Sequence, residues 1–240
     1  VLVSTGQVYL VREGCPLPAR ETDYVGPLMP APHQATDRAE WEYGMGKREA
    51  EDVLAEAWQS RRFPSTRLRI PMVSGERDHF RRIEGYLWRL LDGGALLLPD
   101  GGTRPTRHVY SGAVTRLIAA ILGRKDTFGA AYNLAQDETP TLVEILGHLA
   151  AELGAEPRLV AMPRARIVDA GLDPVAVSPF SGKWMSFLDP ALARDSLGFR
   201  HEPLAEYLGR IVASFLARPP EAPPPGYARR ADERALAADA

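Results

Sequence analysis

Short apolar runs that suit β-strands alternate along this chain with segments whose apolar residues recur at helical spacing. The strand-like runs lie at 1–5, 65–73, 95–99, 107–109 and 130–135, and the helical segments at 40–60, 83–91, 114–122, 141–149 and 203–215. When helices separate successive strands, each helix can return the chain to the end where the previous strand began. We therefore predict an α/β fold with a mainly parallel sheet.

The bulk composition bounds the kinds of partner and site. The chain has 240 residues, is 45% hydrophobic and carries a net charge of −2, so it can bury a core and gives no reason to expect nucleic acid as a partner. No apolar stretch reaches the ~20 residues that span a bilayer, so we expect no membrane segment. A single cysteine, Cys15, fits a reducing cytoplasm. The five histidines are scattered without metal-ligand spacing, so we expect no metal site.

Three regions fall outside the alternating pattern. Residues 12–39 are rich in Pro, Gly, Asp and Thr and predict a long loop. The segment 218–240 is Pro-rich and then polar, and we predict it to be disordered. The opening run "VLVST" already has the character of a buried strand, so we expect that part of the protein lies upstream of Val1.

Tyr43 and Lys47 stand four residues apart in the helical segment "EYGMGKREAE" and share a face with Ala50 and Leu54. We expect that face to be buried and Lys47 to have a polar partner there, since a buried ammonium is costly without one. Alternatively, Lys47 extends from the helix end to solvent and Tyr43 packs as an ordinary aromatic residue.

The same pair has a chemical interpretation. A lysine cation a few ångströms from a phenol favours the phenolate, which can exchange a proton with an alcohol or ketone. A hydroxyl at the end of a nearby strand would hold the substrate oxygen, and Ser4 and Thr5 close the first strand. In an open α/β sheet, ligands bind at the carboxyl ends of the strands.

In collinear order over about residues 1–217, the sequence resembles the extended short-chain dehydrogenase/reductases, the NAD-dependent epimerase/dehydratase family. The stretches that carry the resemblance are "STGQVY" at 4–9, "YGMGKREAE" at 43–51, "RIPMVSG" at 69–75, "GGTRPTRHV" at 101–109, "YNLA" at 132–135 and "LARDSLGF" at 192–199.

The resemblance implies an oxidoreductase or isomerase that uses NAD or NADP and acts on a hydroxyl or keto carbon, such as that of a nucleotide sugar. It makes Thr5, Tyr43 and Lys47 the catalytic residues. It also implies that Pro71, Met72 and Val73 lie beside the nicotinamide, as Tyr43 and Lys47 would. The substrate would contact Thr5, Gly6, Gln7 and Arg104. By analogy with the family, we expect a homodimer.

The implied fold is the C-terminal part of a Rossmann-like doubly wound sheet. We expect residues 1–75 to form the second half of the catalytic domain, and 76–217 to form a small α/β substrate-binding region with elements that return to the sheet. No G-x-x-G-x-x-G loop occurs in the sequence, so we expect the N-terminal nucleotide-binding half to be missing and the chain by itself to bind NAD poorly.

Two further departures from the family bear on the reaction. Gly6 and Gln7 occupy the positions of the Asp–Glu pair that follows the catalytic Thr in dehydratases, which favours an epimerase or reductase. Thr5 and Tyr43 are farther apart than is usual, and the extra residues, around 26–41, either cap the substrate pocket or form a surface insertion. The alternatives to an enzyme are a non-catalytic binding or regulatory protein of the same fold and an inactive fragment.

Overall fold

A computed structural model describes residues 1–240. The strands are β1 (Leu2–Thr5), β2 (Arg67–Ile70), β3 (Met72–Ser74), β4 (Leu96–Pro99), β5 (His108–Tyr110), β6 (Ala131–Asn133) and β7 (Leu159–Met162). The helices are α1 (Gln7–Leu10), α2 (Ala35–Arg61), α3 (Arg82–Leu91), α4 (Ser111–Ile121), α5 (Leu142–Leu153), α6 (Arg164–Asp169), α7 (Pro174–Val177), α8 (Ala191–Leu197), α9 (Leu204–Ala217) and α10 (Arg230–Ala238). The alternation predicted from the sequence is present, and the fold class is α/β.

The main sheet is parallel. It has three strands in the order β1–β2–β6, with Leu2 opposite Arg67 and Thr5 opposite Ile70. The strand predicted in the run at 65–73, with its end at Pro71, is β2. It stops at Ile70 because proline has no N–H to donate to a ladder, and the short strand β3 follows. Two smaller sheets pair β3 with β5, and β4 with β7 in parallel. β1 is an edge strand with a strand partner on one side.

The chain folds into two units, each built from three separate segments. Unit 1 comprises 1–73, 107–137 and 184–202, and unit 2 comprises 74–106, 138–183 and 203–240. The elements α4, β6 and α8 follow residue 75 in the chain and belong to unit 1. Unit 1 has an apolar cluster that includes Val8, Tyr9 and Leu188. In unit 2, Leu97 of β4 and Met162 of β7 pack with Ile167, Leu172 and Val177.

The capping of α5 follows the sequence closely. Thr141 accepts the N–H of Glu144 at 3.2 Å, and the Glu144 carboxylate accepts the N–H of Thr141 at 2.7 Å. This is the reciprocal capping box predicted from the T-x-x-E pattern.

The C-terminal segment differs from the prediction of a disordered tail. Residues 230–238 form α10, and Arg230 and Glu233 are buried in unit 2. Glu233 pairs with the buried Arg89 at 2.5 Å, and Arg230 pairs with Asp92 at 2.6 Å. The segment looked too polar to fold because its charged residues have their partners 138 to 144 positions away in the sequence.

The predicted buried face of α2 was only partly right. Of the residues expected to mark it, Ala57 is buried, Leu54 and Trp58 are half-buried, and Ala50 and Val53 are exposed. The helix also buries Gly44, Arg48 and Glu51. The polar stripe faces inward because its charges have partners there. Arg48 donates to the backbone oxygens of Val8 and Tyr24, each at 2.7 Å.

No helix is long and apolar enough to cross a membrane.

Candidate active site

Thr5 lies at the carboxyl end of β1, where the strand gives way through Gly6 to α1. The Gln7 N–H donates to Thr5 Oγ1 at 3.2 Å, and the Thr5 hydroxyl donates to Gln7 Oε1 at 3.4 Å. The Gln7 side-chain amide donates in turn to the carboxylate of Glu40 on α2. The turn therefore holds the Thr5 hydroxyl at the strand end that the sequence predicted.

Gly44 allows α2 to approach this turn. A Cβ atom at position 44 would lie 2.7 Å from Val11 Cγ1 and 2.9 Å from the carbonyl oxygen of Gln7. These distances are too short for any larger residue unless the backbone moves. The glycine within the Tyr43–Lys47 pattern thus serves packing between α1 and α2.

Tyr43 and Lys47 meet on the outer side of α2. The Lys47 ammonium lies 5.9 Å from the centre of the Tyr43 ring and donates to the carbonyl oxygen of Val3 at 3.3 Å. Lys47 therefore has the polar partner expected of it, on the strand that ends in Thr5. Tyr43 is 48% exposed, so its hydroxyl-bearing ring is not packed as a core residue.

A buried ion pair connects the elements that carry these side chains. Glu51 on α2 accepts the Ser4 hydroxyl of β1 at 2.5 Å, and it accepts Nη2 of Arg69 on β2 at 2.6 Å. Arg69 Nε adds contacts to both carboxylate oxygens at 3.1 and 3.0 Å. Since Glu51 and Arg69 are both buried, the pair sets the position of α2 against the two strands.

Tyr9 extends this buried network and has a structural role. Arg69 Nη1 donates to the Tyr9 hydroxyl at 2.6 Å, and that hydroxyl donates to Asn133 Oδ1 at 2.8 Å. Burial raises the pKa of Tyr9 to about 12, although the nearby Arg69 acts to lower it. Tyr9 therefore stays protonated at neutral pH and serves as a hydrogen-bond bridge between Arg69 and β6.

The residues expected beside a nicotinamide follow β2. Pro71 is buried, Met72 and Val73 are half-buried, and the N–H of Gly6 donates to the Ile70 carbonyl oxygen at 2.7 Å. The Thr5–Gly6 turn and the start of this segment therefore share one edge of the sheet. Arg104, expected to face substrate, is exposed and belongs to unit 2. The cofactor and substrate roles of these residues remain predictions.

Ser186 contacts the site from a segment that sequence reasoning did not assign to it. A Cβ atom on Gly6 would lie 2.1 Å from Ser186 Oγ, so the serine fills the space that a side chain at position 6 would need. Trp184, on the same segment, donates from Nε1 to Asp37 of α2 at 2.9 Å. The 180 positions between Gly6 and Ser186 leave no local sequence signal for this contact.

A cavity of about 210 Å³ opens beside Ser186 in unit 1. Its walls include Tyr9, Arg12, Cys15 and Phe187. Burial raises the pKa of the Cys15 thiol, so this cysteine is a weak nucleophile at neutral pH. No group of three or more His, Cys, Asp or Glu side chains has an arrangement that could hold a metal ion.

Solved structures share this fold over most of the chain. The UDP-glucose 4-epimerase of Thermotoga maritima superposes with a TM-score of 0.67 at 20% identity, over 90% of this chain and 62% of its own. The dTDP-glucose 4,6-dehydratase of Streptomyces venezuelae, solved with NAD and TYD bound, gives 0.63 at 23% identity, over 90% and 59%. The UDP-glucuronic acid 4-epimerase of Bacillus cereus, in complex with UDP-glucuronic acid and NAD, superposes with a TM-score of 0.63 at 17% sequence identity. The match covers 90% of this chain and 60% of that one.

The chain has the fold of the NAD-dependent epimerase and dehydratase enzymes. This agrees with the family resemblance seen in the sequence. No protein-family model matches the sequence, and no curated protein matches it. The chain spans about 60% of the length of these solved relatives. At identities of 17 to 23%, the likeness establishes the fold and leaves the reaction to be argued from the site.

Proposed function

We propose that this chain supplies the catalytic part of an NAD(P)-dependent enzyme that acts on a hydroxyl or keto carbon of a nucleotide sugar. The observation that carries the proposal is the Lys47 ammonium, 5.9 Å from the Tyr43 ring and bonded to β1 two residues before Thr5. Three side chains of the required chemistry thus come from elements that meet at one strand end. A proton-exchanging phenol, a cation beside it and a hydroxyl for the substrate oxygen form a working set for carbonyl chemistry.

Each of these residues would have one role. Tyr43, which is half-exposed and next to a cation, would exchange a proton with the substrate oxygen. Lys47 would favour the phenolate form during that exchange. Thr5, held by the Gln7 backbone N–H, would donate a hydrogen bond to the same oxygen.

The described residues fit one end of a nicotinamide cofactor. Lys47 has a backbone carbonyl as its partner and can offer its remaining donors to a ribose hydroxyl, and Pro71, Met72 and Val73 would form the wall beside it. Bound NAD or NADP would supply the hydride acceptor or donor. The sequence has no glycine-rich turn for the pyrophosphate, so cofactor binding would need a further nucleotide-binding segment.

The residues after Thr5 favour epimerisation or reduction over dehydration. An acidic pair there would supply the acid and base that removing water requires, but this chain has Gly6 and Gln7. The Ser186 hydroxyl fills the space next to Gly6, so a carboxylate could not be added at that position without a shift of the segment around Ser186. A homodimer that takes a small-molecule substrate is part of the same proposal.

The proposal is tested with Tyr43→Phe and Lys47→Met in the natural gene product. UDP- and dTDP-hexoses are supplied with NAD or NADP, absorbance is followed at 340 nm, and sugar products are identified by NMR. Loss of general acid–base chemistry should lower kcat by roughly 10²–10⁴-fold. Lys125→Met, at an exposed lysine far along the chain, is the matched control and should leave the rate unchanged. Full activity of Tyr43→Phe would favour a non-catalytic role for the fold.

A further inference from the structure

Glu40 brings a carboxylate to the turn that follows Thr5. It lies on α2, where steps of three and four residues place Glu40, Tyr43 and Lys47 on one face of the helix. The Glu40 carboxylate accepts the side-chain amide of Gln7, and the Gln7 amide oxygen accepts the Thr5 hydroxyl at 3.4 Å. One amide group therefore separates the Glu40 carboxylate from the hydroxyl that is proposed to hold the substrate oxygen.

The contact with Gln7 uses only part of the Glu40 carboxylate. An ionised carboxylate can only accept hydrogen bonds, so it holds the NH2 end of the Gln7 amide and turns the amide oxygen towards Thr5. The bond to Gln7 is made by Glu40 Oε2. Glu40 is exposed, so its Oε1 is available to another donor. A group of the substrate that lies next to Gln7 would therefore meet a negative charge.

The charged residues that precede Glu40 on α2 are bonded elsewhere. The Asp37 carboxylate accepts the indole N–H of Trp184 at 2.9 Å. The Arg38 guanidinium donates to the carbonyl oxygen of Pro32 at 3.1 Å. Neither side chain is bonded to Glu40, so the carboxylate at the turn keeps its charge without an ion-pair partner on its own helix.

Two opposite charges of α2 flank Thr5. Lys47 donates at 3.3 Å to the carbonyl oxygen of Val3, two residues before Thr5, and Glu40 holds Gln7, two residues after it. A substrate whose oxygen is bound at Thr5 would have one side towards the ammonium and the other towards the carboxylate. Hydroxyl and ammonium groups can donate to the carboxylate, whereas a second carboxylate placed beside it is repelled.

From these observations we propose that Glu40 determines which sugar the site accepts. Its remaining oxygen accepts a hydrogen bond from a hydroxyl or ammonium group beside the reacting carbon, and its charge excludes a carboxylate there. The substrate is then a neutral or amino sugar and not a uronic acid. This inference rests on the proposed function, which supplies the sugar and its place at Thr5. The shared fold does not make this choice, because its solved examples include enzymes named for UDP-glucose and for UDP-glucuronic acid.

The test compares two ligands that differ by a single carboxylate. UDP-glucose and UDP-glucuronic acid are titrated by calorimetry into the natural gene product and into its Glu40→Gln variant, without added cofactor, so that binding alone is measured. Glutamine keeps an oxygen that can accept the Gln7 amide, so the variant removes the charge and preserves the contact. We expect the wild-type protein to bind UDP-glucose at least about tenfold more tightly than UDP-glucuronic acid, and Glu40→Gln to reduce this ratio to about threefold or less.

Two controls assign the effect to the charge of Glu40. Glu42→Gln removes an equal charge from an exposed residue of the same helix, about 200° around the helix axis from Glu40, and should leave the ratio unchanged. Both ligands share the UDP group, so the salt dependence of their ratio reports the additional carboxylate alone. Raising the NaCl concentration from about 0.05 M to about 0.5 M should lower the ratio for the wild-type protein and should not change it for Glu40→Gln.

Two results would overturn the role of Glu40. One is a binding ratio that Glu40→Gln leaves as it was, and the other is tighter binding of UDP-glucuronic acid by the wild-type protein. Failure of both ligands to bind would overturn the proposed function as well. Full turnover by Tyr43→Phe, together with a binding ratio that still depends on Glu40, would contradict the proposed catalytic roles and leave the role of Glu40 standing.

Discussion

Replacing Glu51 by Gln should destabilise unit 1 more than any single surface change. The carboxylate is fully buried and receives three contacts from Arg69, at 2.6 to 3.1 Å, as well as the Ser4 hydroxyl. Glutamine keeps the shape but leaves the Arg69 guanidinium buried without a counter-charge. Breaking such a pair from one side costs about 3 to 5 kcal/mol. Because the remaining amide oxygen still accepts a hydrogen bond, we expect about 3 kcal/mol.

The measurement can be confined to unit 1. Trp41, Trp58 and Trp184 lie in unit 1 and Trp88 lies in unit 2, so a Trp88→Phe background makes tryptophan fluorescence report unit 1 alone. With a urea dependence of about 1–3 kcal/mol per molar, the unfolding midpoint should fall by about 1 to 3 M.

The neighbouring Glu49 provides the control. It is exposed on the same helix, and Glu49→Gln should change the free energy of unfolding by no more than about 0.5 kcal/mol. If Glu51→Gln lowers that free energy by less than about 1 kcal/mol, the pair does not hold α2 against the strands, and the account of how Thr5 and Lys47 are positioned is wrong.

Three further changes probe other parts of the molecule. Gly6→Ala should lower the free energy of unfolding by about 1–3 kcal/mol, because the new Cβ would lie 2.1 Å from Ser186 Oγ. In a double-mutant cycle, Ser186→Gly should restore most of that free energy, and additive effects of the two changes would contradict the contact. Glu233→Gln should destabilise unit 2 by about 3–5 kcal/mol, because it leaves the buried Arg89 without its counter-charge. Trp88 fluorescence during urea unfolding measures this loss. An unchanged unfolding midpoint would mean that α10 does not stabilise unit 2. Burial raises the pKa of Tyr86 to about 12, so the protonated phenol contributes fully to the free energy of unfolding below pH 10. That contribution is lost as the pH rises towards 12, by about 1.4 kcal/mol per pH unit. Ultraviolet titration at 295 nm should find a tyrosine that ionises near pH 12, and complete ionisation of all tyrosines by pH 11 without unfolding would exclude this.

The features that the sequence predicted well depend on neighbours along the chain. The alternation of strands and helices, the capping box at Thr141 and the end of a strand at Pro71 each follow from a few adjacent residues. The proximity of Tyr43 and Lys47 has the same origin, because a spacing of four brings two side chains together on any helix. Thr5 reached a strand end for the same local reason.

The features that the sequence did not reveal depend on charges buried with distant partners. A charged residue on a helix predicts a face exposed to solvent unless its counter-charge is known. Glu51 on α2 is buried because its partner, Arg69, lies on β2. The same applies to Glu233, which pairs with Arg230 on its own helix and with the buried Arg89 144 positions away. Without the distant partner in view, that helix was predicted to be disordered. At Gly6 no pattern within the sequence identifies Ser186 as its neighbour.

The division of unit 1 into three separate segments has a consequence for its synthesis. β1, α2 and β2 are complete once residue 73 has been made, and the Glu51–Arg69 pair, whose members are 18 positions apart, can close at that time. Ala19 forms a β-bridge with Leu188, which also completes the apolar cluster around Val8. That contact cannot form until residue 188 has been synthesised. At roughly 5–20 residues per second, the ribosome takes about 6 to 23 seconds to proceed from residue 73 to residue 188. During that time the nascent chain exposes an unfinished core, so codons that slow translation between these segments should increase its need for chaperones.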